Sequence, residues 1–422
     1  MIGKNLAAIA VSFGLFVAGM GLANAQGSGP AELGFSADRL ARIGETLKAD
    51  VAKGTIPGAV LLIQRKGKRA YFEAFGVLDP ETKAAMPKDG IFRIYSMTKP
   101  LTSVAAMMLM EEGRLSLADP VAKYLPALKE LQVGTEKPGP DGKPVLETAP
   151  ARRPMTVQDL LRHTSGITYG FFGATLVKKA YSDANLFEGE FDNAEHVARL
   201  ARLPLHFEPG TTWDYSHSTD VLGAVVEVVS GKKLDVFIKE RITGPLGMKD
   251  TAFHVETQAD FKRVAEPFKD DRSLGGGVEF FDPRVENKWK SGGGGMVGTA
   301  ADYARFLQML LNGGSLDGKR YLSPQTVRYM TVDHLGSLVK PGPYYLPGAG
   351  YGFGLGFAVR LTDGVAPYSG SAGDYFWGGA GGTYFWVDPG QDMFVVFMMQ
   401  SPKQRVYYRA KLRDMVYGAI AK

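Results

Sequence analysis

Cysteine is absent from all 422 residues. Disulfides, thiol nucleophiles and thiolate metal sites are thereby excluded. Histidine is scarce as well. The six are His163, His196, His206, His217, His254 and His334, and no pair stands at a metal-ligand spacing along the chain, so no metal is expected. Beyond residue 25 no apolar run approaches the ~20 residues that a membrane span requires. Blocks of one charge are lacking too. The net charge of +5 is spread thinly, with Lys4 contributing one unit of it, and no Lys/Arg cluster interleaves with aromatics, so nucleic-acid binding is not expected. Phosphate-loop and cofactor fingerprints are missing. Gly292 to Gly295 lacks the Gly-Lys-Ser/Thr ending. Gly370-Ser371-Ala372-Gly373 is not a Gly-x-Ser-x-Gly elbow. No cofactor is expected.

What is present begins with an export signal. Lys4 precedes an uncharged apolar stretch from Leu6 to Leu22, and Ala23-Asn24-Ala25 offers a small-x-small cleavage site before Gln26. Residues 1–25 therefore read as a secretory signal peptide, which predicts a periplasmic protein without stable membrane insertion. In the remainder, Leu40, Ile43, Leu47 and Val51 recur at spacings of three and four, predicting a helix from Ser36 to Lys53. Ala59–Gln64 and Arg69–Phe75 read as a hairpin across a Lys-Gly turn. Gly134 to Pro150 reads as a surface loop or ribbon, and residues 155–310 read as mainly helical. Strand signals return at Tyr351–Leu361, Thr383–Val387 and Met393–Met399. A last helix is expected from Ser401-Pro402, a cap and first-turn pair. These signals predict an α+β sandwich with an antiparallel sheet flanked by terminal helices. Residues 26–95 and 346–422 would form the sheet domain, and 96–345 an inserted, mainly helical domain with Ser96 at the junction.

Three segments carry chemistry. In Ser96-Met97-Thr98-Lys99, helical spacing puts a hydroxyl and an amine on one face. Serine is a poor nucleophile until a neighbour takes its proton, and a desolvated lysine can do so. Pro100 restricts the helix start to the vicinity of Ser96. Spacing alone is weak evidence, since Ser230–Lys233 and Ser337–Lys340 repeat it in segments that read as surface. The second segment is Trp213-Asp214-Tyr215-Ser216-His217-Ser218. Tyr215 suits a general base near a lysine, but the segment alone favours a packed core tyrosine with a satisfied hydroxyl. The third is Trp377-Gly378-Gly379-Ala380-Gly381-Gly382, where glycines beside a strand permit close approach of a ligand, or simply form a packed bulge. Tyr169, Phe171 and Phe172 suit an acyl pocket or a core. His163 reads as a helix-end residue whose ring bonds the last carbonyls.

Together these segments resemble the serine β-lactamase and penicillin-binding-protein superfamily, in particular the class C-like branch that includes family VIII carboxylesterases. Thr156–Gly166, Pro245-Leu246-Gly247-Met248 and Gly293–Ala300 add to the resemblance, which spans residues 36–420 in the family's order. It implies Ser96 as nucleophile, Lys99 as its proton partner and Tyr215 as the base serving the leaving group. It also implies an oxyanion hole from the N–H groups of Ser96 and Ala380. Two departures bear on substrate. His217 replaces the Asn of Tyr-x-Asn, and Trp377-Gly378-Gly379 replaces Lys-Thr-Gly. The carboxylate clamp of that motif is missing, so an ester is expected rather than a β-lactam, with a short acyl group by analogy. Expected substrate contacts are Trp377, Gly378, Gly379, His217 and Tyr169. The alternatives are β-lactamase or D-amino-acid peptidase activity, and an acyl-accepting module without turnover.

Overall fold

The computed structural model describes Met1 and residues 29–187, 189–275, 278–337 and 339–422. The signal-peptide reading of residues 1–25 thus falls, Met1 apart, outside the described residues. Among those described, no helix is long and apolar enough to cross a membrane.

Seven antiparallel strands form the main sheet, in the order 351–353, 358–360, 375–378, 384–388, 393–399, 58–65 and 68–76. Ala59 pairs with Met399 and Arg65 with Met393, so a strand from near the start of the chain lies beside one from near its end. The α+β reading holds. The hairpin expected at 59–75 forms from Gly58–Arg65 and Lys68–Gly76. The Tyr351–Leu361 run is split into two short strands, Tyr351–Phe353 and Ala358–Arg360. Gly134–Pro150 falls within a two-stranded ribbon, Gln132–Pro138 against Pro144–Pro150.

Met393–Met399 is buried at every position, and a strand with no solvated face needs cover on both sides. Helix Ala37–Ala52 packs with helix Arg405–Gly418, and helix Ala300–Leu311 lies on strands Met393–Met399 and Gly58–Arg65. Each fully buried Leu, Ile or Phe in these layers stabilises by roughly 1.5–3 kcal/mol. The first helix is capped as its sequence predicts, Ser36 accepting from the Arg39 N–H. Ser401 does not behave as expected. A 3₁₀ turn, Pro402–Gln404, precedes the last helix, and the Ser401 hydroxyl donates to Asp271 Oδ2 at 2.6 Å. A buried carboxylate offers a charge-assisted bond that the helix end does not match. The last helix is locked to the sheet by Asp374, which holds Arg360 at 2.7 Å and Arg413 at 2.9 Å, all three buried.

Candidate active site

Ser96 sits in a 3₁₀ turn, Tyr95–Met97, that leads directly into the buried helix Thr98–Glu111. Pro100 falls in that helix's first turn, where its missing N–H costs nothing. Tyr95 takes a φ of 43°, a left-handed conformation that a bulky residue adopts only when its surroundings enforce it. Its ring is gripped edge-on by Phe280 and Phe281, each with centroids 5.4 Å away.

Lys99 is 1 % exposed. Its Nζ donates to Ser96 Oγ at 3.2 Å, to the Gly293 carbonyl oxygen at 2.7 Å and to Tyr169 Oη at 3.4 Å. The amine also lies 4.5 Å from the centre of the Tyr215 ring. The three residues that the sequence singles out therefore meet in space. The other two Ser-x-x-Lys pairs do not form sites: Lys233, Ser337 and Lys340 are exposed, and Ser230 is half-buried.

Tyr215 follows the two-residue strand Thr212–Trp213 and precedes helix Ser218–Ser230, a strand–helix corner. Its phenol oxygen accepts the indole N–H of Trp377 at 3.1 Å. His163, Tyr169 and Trp377 pack around the ring with centroids 4.9–5.3 Å away. His163 is buried, and burial first, then the charge of Lys99, holds its pKa well below the ordinary range. Its Nδ1 meets Ser216 Oγ at 3.2 Å instead of helix carbonyls. The ring, carried on a residue with a φ of 57°, is thus a neutral support packed on Tyr215.

The glycine triplet approaches the Ser96 turn through its backbone. A Cβ at Gly379 would lie 2.4 Å from the Ile94 carbonyl oxygen and 2.2 Å from Thr383 Oγ1. Only glycine lets this strand end lie so close. Ser96, Tyr169, Tyr215, Trp377, Gly378 and Ala380 line one cavity of about 710 Å³, within the ~300–1,000 Å³ of sites for small organic ligands. Phe171, Phe172, Phe187 and Trp289 form much of its apolar wall. Two expected contacts are not in that lining. Gly379 is turned against Ile94, and His217 is buried beneath Tyr169, whose ring centroid is 4.4 Å away. His217 Nδ1 instead meets Asp220 Oδ2 at 3.3 Å.

Asp220 is a residue that sequence reasoning missed. Its Oδ1 accepts Ser291 Oγ at 2.5 Å and the Gly293 N–H at 3.0 Å, which fixes the glycine loop that holds Lys99. The only advance signal was its position three residues after His217, one turn along a helix. His196 completes a buried trio: ligand atoms of His196, His217 and Asp220 lie within 4.8 Å of one another. Linear spacing did not reveal it, because His196 comes from the separate helix Asn193–Leu200. This trio has the donor set to hold a metal ion, although Asp220 is already bonded to Ser291, Gly293 and His217.

Comparison with known proteins shows the family and the fold. A family model described as Beta-lactamase matches residues 43–417. Protein Rv1367c of Mycobacterium tuberculosis is 36% identical over 356 residues, covering 82% of this chain and 86% of its own length. Esterase EstB of Burkholderia gladioli is 31% identical over 410 residues, covering 91% and 96%. The structure of EstCE1, described as a hydrolase with promiscuous acyltransferase activity, superposes with a TM-score of 0.73 at 28% identity. That match covers 90% of this chain and 99% of that one.

Proposed function

Since the chain belongs to the Beta-lactamase family and is a serine hydrolase of that fold, we propose that it cleaves carboxylic esters through an acyl enzyme formed on Ser96. The observation that carries this reading is the 3.2 Å contact between Lys99 Nζ and Ser96 Oγ at the floor of an apolar cavity. Ser96 Oγ attacks the ester carbonyl carbon while its proton passes to the Lys99–Tyr215 pair. The carbon–oxygen bond to the alcohol breaks as that proton is returned to the leaving oxygen. Water then attacks acyl-Ser96, releasing the acid and restoring the hydroxyl. The N–H groups of Ser96 and Ala380 receive the negative charge on the carbonyl oxygen, each such donor contributing roughly 10²–10³ in rate. The close packing of Gly379 on Ile94 supports that pairing of donors.

Trp377 in place of a lysine supports ester over lactam turnover, because an indole offers no counter-charge for a lactam carboxylate. The description of EstB as an esterase supports the same choice. A short acyl group on the substrate, export through cleavage after Ala25, and division into a sheet domain (26–95 and 346–422) with a helical insertion (96–345) belong to the same proposal. The acyl length rests on analogy with the family VIII carboxylesterases, and the other two on the sequence pattern. Steady-state turnover of p-nitrophenyl butyrate beside nitrocefin, with Ser96→Ala as blank, tests the activity. Ester turnover that exceeds lactam turnover and disappears in the blank is expected. Lactam preference, or undiminished turnover by Ser96→Ala, overturns it.

A further inference from the structure

A second cavity, of about 520 Å³, lies against the one that holds Ser96, and one residue borders both. Among the described residues, Phe253 is common to the two walls. Backbone supplies the rest of the divide. Gly295 lines the Ser96 cavity and Met296 the second one, and Asn287 and Glu286 are split in the same way. The Phe253 ring packs on Gly295, where an added Cβ would lie 3.1 Å from Phe253 Cδ1. The chain that carries the ring is fixed. Ala252 and Val297 exchange two backbone hydrogen bonds, at 3.3 and 2.8 Å, and the Val255 N–H donates to the Pro283 carbonyl oxygen at 2.8 Å. Shortening the side chain at 253 therefore opens the divide and leaves the walls in place.

Ile91, Ile238, Met248, Val255 and Met296 give the second cavity apolar surface. Its acids have partners: Glu256 pairs with Lys239, Asp250 and Asp260 with Arg263, and Asp235 and Glu286 with Lys290. With those charges answered, an alkyl chain gains by burial there, by roughly fourfold in affinity for each methylene taken from water.

We propose that Phe253 closes the acyl end of the Ser96 cavity and so sets the length of acyl chain that the enzyme accepts. The inference rests on the ester reading above and assigns its chain-length limit to one side chain. The leaving oxygen faces Tyr215, a corner walled by Phe172 and Trp377. The acyl half runs away from that corner, along the glycine loop. Gly294 lies beside the residue before Ser96, a Cβ there being 3.8 Å from the Tyr95 carbonyl carbon, and Gly295 is the next residue, in contact with Phe253. Glycines present no side chains along this path, so the first side chain that a growing acyl group meets is the Phe253 ring.

The test is the kcat/KM ratio of p-nitrophenyl octanoate to p-nitrophenyl butyrate in the unmodified enzyme, Phe253→Ala and Phe253→Leu. Each ratio is taken within one protein, so a general loss of folded enzyme cancels. The ratio should lie below one in the unmodified enzyme, rise about tenfold or more in Phe253→Ala, and rise less in Phe253→Leu. Octyl butyrate against ethyl butyrate lengthens the alcohol half instead, and that ratio should stay constant. Calorimetric binding of p-nitrophenyl octanoate and butyrate to Ser96→Ala, with and without Phe253→Leu, reads the same preference without turnover and without the harsher truncation. An octanoate preference unmoved by the variants in both turnover and binding overturns the proposal, and so does a gain confined to octyl butyrate. Tighter octanoate binding once Phe253→Leu is added to Ser96→Ala, with no turnover of any of these esters by the unmodified enzyme, upholds Phe253 as the divide and overturns the ester reading instead.

Discussion

Asp220 and Lys99 are joined through one residue: Gly293 gives its N–H to Asp220 at 3.0 Å and its carbonyl oxygen to Lys99 at 2.7 Å. The buried carboxylate therefore fixes the loop that positions the amine beside Ser96. Burial pushes the Asp220 pKa up, but the His217 hydrogen bond and the charges of His217, His196 and Lys99 bring it well below the carboxylate range. Asp220 stays ionised and balances Lys99 at short range.

Replacing Asp220 by Asn keeps the size and removes the charge. Loss of one member of a buried charged network costs about 3 kcal/mol, so the thermal midpoint should drop clearly. Turnover should fall by about tenfold or more, since a displaced Lys99 no longer takes the serine proton efficiently. A variant with unaltered kcat would remove Asp220 from the support of Lys99.

The trio proposed to react was legible because its parts are local. Ser96 and Lys99 lie one helical turn apart, and Tyr215 stands in a short aromatic segment with its own turn signals. The sheet was legible from β-rich runs such as Met393–Met399. The supports were not, because they depend on approaches between distant segments. His196 reaches His217 from another helix, and Arg409 reaches Gly379 from the last one. His217 shows the same limit. Its place two residues after Tyr215 suggested a substrate contact, but helix Ser218–Ser230 turns its ring toward Asp220.

Trp377 offers a test of how the phenol of Tyr215 is held. Its indole N–H donates to that oxygen at 3.1 Å, and its ring packs at 5.3 Å from the tyrosine. Trp377→Phe keeps an aromatic wall and deletes the donor. The expected loss in kcat is about tenfold, against roughly 10²–10⁴ for Tyr215→Phe, the usual range for a proton-transfer group. Equal losses in the two variants would mean that Trp377 does more than orient the phenol.

Gly379 tests the backbone geometry behind Ala380. An added methyl group would overlap the Ile94 carbonyl oxygen and Thr383 Oγ1, forcing the strand end away from the Ser96 turn. Gly379→Ala should lower kcat by roughly 10²–10³, the range for loss of an oxyanion donor, with a smaller effect on KM. A change confined to KM would argue that Ala380 N–H takes no part in charge stabilisation.

The buried histidines predict how stability depends on pH. Burial brings the pKa of His196 down from the usual 6.5 to about 3, with the charge of His217 adding to the effect. His163 and His217 are lowered by burial as well. Between pH 6.5 and about 3 the unfolded chain binds a proton at His196 that the folded chain refuses. Stability from this residue is therefore complete above pH 6.5 and is lost as the pH falls toward about 3. At pH 5 the loss from His196 alone is about 2 kcal/mol. Urea unfolding between pH 7.5 and 5 should show this decline, and His196→Phe should flatten it, since a phenyl ring keeps the stack on Trp289 without a site to protonate. The curve should be unchanged after dialysis against EDTA. A chelator-induced drop would instead place a metal ion among His196, His217 and Asp220, whose binding atoms are close enough to share one.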